Sequence, residues 1–164
     1  MVSFKKLTSN KDLVTLEKLA GEIWTEYFTP IIGKPQVTYM VDNIQSFDAM
    51  RKQVEDGYMY YFIEVDSTKV GYICIKPDAQ GLFLSKLYLL KTHRGKGLGK
   101  SAFQFILTTA KRMELSRIWL TVNKHNKDTI EAYKKWGFEI TEELVMDIGG
   151  GFVMDDYKMV KVIN

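Results

Sequence analysis

At 164 residues, with 46% hydrophobic and 26% charged content, the chain has the size and make-up of one soluble globular domain with a substantial core. Its 23 basic and 20 acidic residues leave a net charge of only +3, interspersed along the chain, which argues against a nucleic-acid partner. A single cysteine excludes a disulfide framework or thiolate metal cluster, and no apolar run approaches the ~18 residues of a membrane span.

The opening residues, MVSFKKLTSNKDL, lack the apolar stretch of a secretion signal, so a cytoplasmic location is expected. Phe4–Leu7 reads as a short first strand. Asn10 or Asp12 is placed to cap a helix running to about Phe28, whose apolar stripe is Leu13, Leu16, Leu19, Ala20, Ile23 and Trp24. Thr29-Pro30 is expected to end it, and 30–46, with Gly33 and Pro35, reads as irregular. A short helix over 47–56 closes at Gly57. Tyr58–Val65 and Val70–Ile75 read as a hairpin about Asp66–Lys69, followed by an apolar strand over 82–90. Leu98, Ala102, Phe105, Ile106, Thr109, Ala110 and Met113 recur at helical spacing. Ile118–Val122 is a buried-type strand, Asp128–Trp136 a short helix, and 138–147 with 152–162 a closing hairpin about Gly149-Gly150-Gly151. His93 and His125 stand far apart with no ligand spacing, so no metal site is expected.

The densest chemistry lies at Arg94-Gly95-Lys96-Gly97-Leu98-Gly99-Lys100, where a strand turns into a helix. Alternating glycines leave backbone N–H groups unobstructed, a helix N-terminus adds partial positive charge, and three basic side chains reinforce it: a phosphate cradle. A nucleotide P-loop needs G-x-x-x-x-G-K-[ST]; Gly99-Lys100-Ser101 supplies the tail, but Arg94 stands where the first glycine belongs. A dinucleotide site needs G-x-G-x-x-G, and this loop is one residue short.

The six residues from Arg94 to Gly99 instead match the R/Q-x-x-G-x-G/A signature of the GCN5-related N-acetyltransferases without a gap. A second segment, RIWLTVNKHNKDTIEAYKKWGFEI, resembles that family's downstream motif through Val122, Asn126, Tyr133, Gly137 and Phe138. The two occur in the family's order and cover roughly residues 58–162. The fold the resemblance implies is α+β: a mixed, mostly antiparallel central sheet of about six or seven strands flanked by about four helices. Residues 1–164 would form one acetyltransferase domain, with 1–57 on the acceptor side and 58–162 as the acetyl-CoA-binding core.

The resemblance implies acetyl-CoA as co-substrate and transfer of acetyl to a primary amine of a small molecule. The pyrophosphate would lie on the loop from Gly95 to Gly99, and the pantetheine arm along Leu87, Tyr88 and Leu89, with Asn126 as a polar contact. Tyr133 would be the general acid. Tyrosine ionises near 10 and a thiol near 8.5, so full proton transfer is uphill by only roughly 2 kcal/mol. A lysine-like amine is neutral about once in 10³ at pH 7, so a base is needed as well. Many relatives carry an acid on the strand before the glycine loop, where this chain has Ser85-Lys86; Glu64 on the neighbouring strand is the best alternative, with Glu22 and Glu26 on the first helix as acceptor-side acids. Trp24, Glu26, Tyr27 and Phe28 are the acceptor-side candidates. The chain is most similar to the bacterial spermine/spermidine branch, which points to a polyamine. The other readings are peptide N-terminal acetylation and a non-catalytic acyl-CoA-binding module. A monomer or homodimer suits either.

Overall fold

The computed structural model describes residues 1–163. In chain order the elements are β1 (Val2–Lys6), α1 (Asn10–Ile32), α2 (Lys34–Ile44), α3 (Phe47–Glu55), β2 (Met59–Val65), β3 (Thr68–Asp78), β4 (Gly81–Leu89), α4 (Leu98–Arg112), β5 (Arg117–Asn123), α5 (Lys127–Lys135), β6 (Glu139–Gly149) and β7 (Phe152–Val162), with a 3-10 turn at Lys91–His93. The strands make one seven-stranded mixed sheet in the order β1-β2-β3-β4-β5-β7-β6, and β4 and β5 run parallel. Five α-helices accompany it, so the expected mixed sheet with flanking helices is observed, with one helix more than predicted. Among the described residues no helix is long and apolar enough to cross a membrane. The chain forms two compact units: Met1–Lys76 with Lys86–Ile106, and Pro77–Ser85 with the chain from Leu107 onward.

The extra helix corrects the reading of 30–46 as irregular. α1 does not stop at Thr29-Pro30 but continues to Ile32. Pro30 lacks one N–H and disturbs only the final turn, while buried Trp24 and Phe28 hold the preceding turn against the core. Gly33, at φ 86°, reverses the chain, and Pro35 then sits in the first turn of α2, where its missing N–H costs nothing. The same two residues that read as breakers therefore form a helix–helix corner.

In the first unit, α1 is capped by Ser9 rather than by Asn10 or Asp12. Ser9 Oγ accepts the Asp12 N–H at 3.2 Å and the Asp12 carboxylate accepts the Thr8 N–H at 3.0 Å, a reciprocal cap. Leu16, Ala20 and Ile23 of α1 and Met50 of α3 are buried, as are Tyr60, Phe62 and Ile63 of β2 and all of Val70–Ile75 of β3. Gly71 is there because β4 passes so close. A Cβ at this position would lie 2.3 Å from the Tyr88 carbonyl oxygen and 2.9 Å from Leu89 Cδ2.

The second unit is built on β5, β7 and β6. Ile118 and Leu120 are buried, and the antiparallel register with β7 runs from Arg117–Val162 to Asn123–Asp156. The start of β4 joins β5 through Leu82–Ile118 and Phe83–Trp119, where the two rings stack at 4.1 Å. Trp119 Nε1 donates to the Asp78 carboxylate, and the Lys158 ammonium lies 5.0 Å above its ring.

One charge in the first unit is unusual. Lys86 of β4 is only 7% exposed, and its Nζ donates to Tyr60 Oη at 2.8 Å and Gln53 Oε1 at 3.2 Å. Tyr60 in turn donates to Gln53, and Tyr72 donates to Gln45 Oε1 at 2.6 Å. Both partners of the ammonium are neutral, so burial lowers the Lys86 pKa. Between that lowered value and the ordinary lysine pKa near 10.4 the unfolded chain binds more protons than the folded one, so stability rises with pH across that window. We expect Lys86→Met to flatten this rise. Denaturant melts at pH 7 and pH 10 check it: the wild type should gain stability relative to the variant at the higher pH, and parallel curves would contradict it.

Candidate functional site

The loop between β4 and α4 adopts a conformation only glycine enters easily. Gly95 and Gly97 have φ 74° and 80°, and a Cβ built on either meets no atom within 4 Å. Left-handed backbone with open space around it is what close approach of a ligand to the main chain requires. α4 begins at Leu98, with its first helical bond from Ser101 N to Gly97 O at 3.1 Å, so the amides ahead of it have no carbonyl within the helix. The first turn of α4 holds no acidic residue, and Lys96 and Lys100 are exposed. This arrangement suits a phosphate-bearing ligand.

Arg94 does not point its charge into that space. Its Nε donates to Leu89 O at 3.0 Å, its guanidinium meets Glu26 at 2.8 and 3.4 Å, and it lies 4.7 Å over the Tyr27 ring. Glu26, read from sequence as an acceptor-binding acid, is thus engaged by the signature arginine. The structure also shows which edge of β4 is occupied. Leu90 N bonds to Val70 O at 2.8 Å and Tyr88 O faces Gly71, so alternation turns the backbone of Leu87 and Leu89 to the opposite edge. The Leu89 carbonyl there is taken by Arg94.

Tyr88 is the hub of the aromatic candidates. Its ring lies 5.6 Å from Trp24, 5.6 Å from Phe28 and 6.4 Å from Tyr27, and 5.6 Å from Tyr72. The structure therefore gathers Trp24, Tyr27 and Phe28 against the strand assigned to the pantetheine arm. Tyr58, a further aromatic in sequence, stands apart between Lys76 at 4.9 Å and Lys86 at 6.0 Å. Glu64 sits on β2 beside the Asp66-Ser67 turn, at a register shift, 3.7 Å from the Lys69 ammonium.

In the second unit, Asn126 occupies the N-cap position of α5, yet its side chain makes no capping bond. Its neighbour Asn123 does the local work, accepting the His125 N–H at 2.9 Å. Asn126 is 8% exposed. Tyr133 is equally buried, its ring edge-on to Trp136 at 5.6 Å and Phe138 at 5.3 Å. Gly137, at φ 96°, ends α5 and turns the chain into β6.

Sequence reasoning passed over Asp156. It is 1% exposed, its Oδ1 has no hydrogen-bond donor, and burial lifts its pKa to about 6. The signal was the adjacent pair Asp155-Asp156 in a strand otherwise made of apolar residues and lysines.

A mixed sheet of this order, with a glycine loop leading from β4 into α4, defines an acetyltransferase fold. Residues 18–138 match the Acetyltransferase (GNAT) family, and the chain belongs to it. An uncharacterised N-acetyltransferase of Lactobacillus delbrueckii subsp. lactis is 25% identical over 150 residues, covering 86% of this chain and 87% of its own. One of Mycobacterium bovis is 35% identical over 97 residues, 58% of this chain and 62% of that protein. Among solved structures, the PaiA N-acetyltransferase of Thermoplasma acidophilum, in complex with coenzyme A, superposes with a TM-score of 0.80 at 24% identity over 99% of both chains. A GCN5-related N-acetyltransferase of Rhodopseudomonas palustris superposes at 0.82 with 12% identity, over 98% of this chain and 95% of that one. The chain is an N-acetyltransferase.

The Glu26–Arg94 pair is partly exposed, at 38% and 30% of the side chains, so its own worth is modest. A double-mutant cycle of Glu26→Gln and Arg94→Gln, read by denaturant melts, should give a coupling of about 0.5–1 kcal/mol that shrinks in salt. Zero coupling at low salt would mean that Arg94 is held by Leu89 O and Tyr27 alone.

Proposed function

We propose that this protein transfers acetyl from acetyl-CoA to the primary amine of a small molecule. The observation that carries the reading is the pair of open, left-handed glycines, Gly95 and Gly97, leading into an α4 whose first turn holds no acid. Coenzyme A brings a pyrophosphate for those amides and an extended pantetheine arm for the edge of Leu87 and Leu89. The Leu89 N–H is the donor suited to the thioester carbonyl, where negative charge grows as the amine attacks. That the solved relative from Thermoplasma acidophilum holds coenzyme A supports the same cofactor here.

Tyr133 is proposed as the acid that gives its proton to the leaving thiolate, and Asn126 as a contact to the pantetheine arm. Their support is the match to the family's downstream motif, together with the burial of both side chains. For the acceptor, the aromatic wall of Trp24, Tyr27 and Phe28 favours an amine with an apolar body. A polyamine would call for clustered carboxylates, whereas Glu26 is engaged by Arg94 and the nearby Lys86 is a buried cation.

Release of free coenzyme A from acetyl-CoA, measured against pooled amino acids, polyamines, aminoglycosides and peptide N-termini, tests the reading, with mass spectrometry naming the product. Tyr133→Phe should lower kcat by about 10²-fold while acetyl-CoA binding stays within a factor of a few. Unchanged turnover in the variant would remove Tyr133 as the acid. Binding of acetyl-CoA with no product from any amine would favour a binding module.

A further inference from the structure

We propose that the outer edge of β6 is an interface between two copies of this chain. The partner pairs its own β6 antiparallel there, about a two-fold axis through Leu144. The surface lies wholly within the second unit and does not depend on the acetyltransferase reading.

The two ends of the sheet are built differently. β1, at one end, has five residues and carries Lys5 and Lys6, the short and charged form that keeps an edge from pairing. β6, at the other end, has eleven residues, and among the described residues no strand lies beyond it. Every residue of β6 is exposed except Leu144 and Ile148, which are half-buried. Both faces and one edge of this strand therefore meet solvent. Its support within the chain also runs out. The ladder between β5 and β7 stops where Asn123 stands opposite Asp156, whereas β6 and β7 stay paired as far as Gly149 opposite Phe152. The far half of the hairpin is thus a two-stranded ribbon, with Val145, Met146 and Val153 exposed on it. A ribbon of two strands is marginal alone, and a long apolar edge is what another strand pairs with.

Charge identifies a second copy as that strand and fixes its register. Under a two-fold axis normal to the sheet each residue stays on its own face, so it meets either its own copy or a residue an even number of positions away. Centred on Glu143, the pairing would set that carboxylate against its copy and Glu139 against Asp147. Centred on Val145 it would oppose Glu143 to Asp147, and centred on Glu142 it would oppose that acid to itself. Like charges directly opposite each other are unfavourable. Centred on Leu144, the strand meets itself without such a clash: Leu144 faces Leu144, Glu143 faces Val145, Glu142 faces Met146 and Thr141 faces Asp147. The irregularities of β6 fall at Ile140/Glu142 and Asp147/Gly149, so 142–147 is regular and Leu144 lies near its middle. The central acids are also balanced from within the chain. Lys124 approaches Glu143 at 3.8 Å, Lys158 approaches Glu142 at 4.0 Å, and Asp147 accepts the Gly149 N–H at 2.8 Å.

Sedimentation equilibrium of the full chain, from low to high micromolar concentration, should give a mass that rises towards twice the 19.0 kDa of one chain. Val145 is 68% exposed, so Val145→Glu should keep the fold, which circular dichroism checks. It places a second acid opposite Glu143 of the partner subunit and should weaken the dimer by about tenfold or more. Adding Glu143→Lys makes both opposed pairs attractive and should restore association. Cross-linking reads the register. The sole cysteine, Cys74, is buried, so Leu144→Cys should form a disulfide-linked dimer on mild oxidation, since directly opposed Cα atoms lie about 4.5–5.5 Å apart. Val145→Cys, two positions along the strand from its copy, should not. A wild type that keeps single-chain mass at high micromolar concentration would overturn the proposal. So would a dimer that Val145→Glu leaves unchanged, a double variant that does not recover, or Val145→Cys cross-linking as readily as Leu144→Cys. Acetyl transfer is read separately by coenzyme A release, so the failure of either reading is seen apart from the other.

Discussion

Arg94 holds together the part of the molecule proposed to bind the cofactor. It stands where β4 has ended and the glycine loop begins, and its guanidinium ties the Leu89 carbonyl, the Glu26 carboxylate and the Tyr27 ring to one point. The loop after it must be conformationally permissive, because Gly95 and Gly97 take left-handed angles. A permissive loop binds poorly unless its ends are fixed. Arg94 fixes the near end and the first turn of α4 fixes the far one. On the other side of β4, Gly71 allows β3 to approach so closely that any side chain there would collide with Tyr88 and Leu89. One arginine and one absent methyl group therefore set the surroundings of the end of β4.

Arg94 also links the loop to α1, and so joins the cofactor segment to the aromatic residues assigned to the acceptor. Tyr27 lies under its guanidinium, and Tyr88 packs against Trp24, Tyr27 and Phe28. An acceptor that moved α1 would pull on the same side chain that steadies the loop. The charge distribution in this unit gives little help to a polycation. The buried lysine is compensated by tyrosine and glutamine oxygens rather than by acids, and the acid of α1 nearest the loop is paired. Among the described residues the one deeply buried carboxylate is on β7, in the unit that carries Asn126 and Tyr133.

Much of this was legible in the sequence, because its strongest signals are local. Alternating glycines after an apolar run, and a stripe at helical spacing, report backbone geometry directly, and the loop, β4, α4 and α5 all lie where those patterns put them. The segment 30–46 was misread because Gly33 and Pro35 have two opposite uses: they break a helix in its interior and build a corner at its ends. Only packing of α1 and α3 decides between them. Side-chain partners were harder still. Nothing in the spacing of Glu26 and Arg94, 68 residues apart, foretells their ion pair. Nor does the sequence reveal that Lys86 is buried among neutral groups, or that of the adjacent acids Asp155 faces Lys124 while Asp156 turns inward. These depend on strand register across the sheet, which a single residue's shift would reverse.

The most direct test of the account is amide hydrogen exchange with and without coenzyme A. The glycine loop and the outer edge of β4 are the surfaces the cofactor is expected to cover. Exchange should slow at residues 95–101 and at Leu87 and Leu89 on addition of coenzyme A, and should not slow there with ATP at the same concentration. Protection by coenzyme A that falls elsewhere and spares residues 95–101, or equal protection of that loop by ATP, would contradict the assignment of the loop as the coenzyme A cradle.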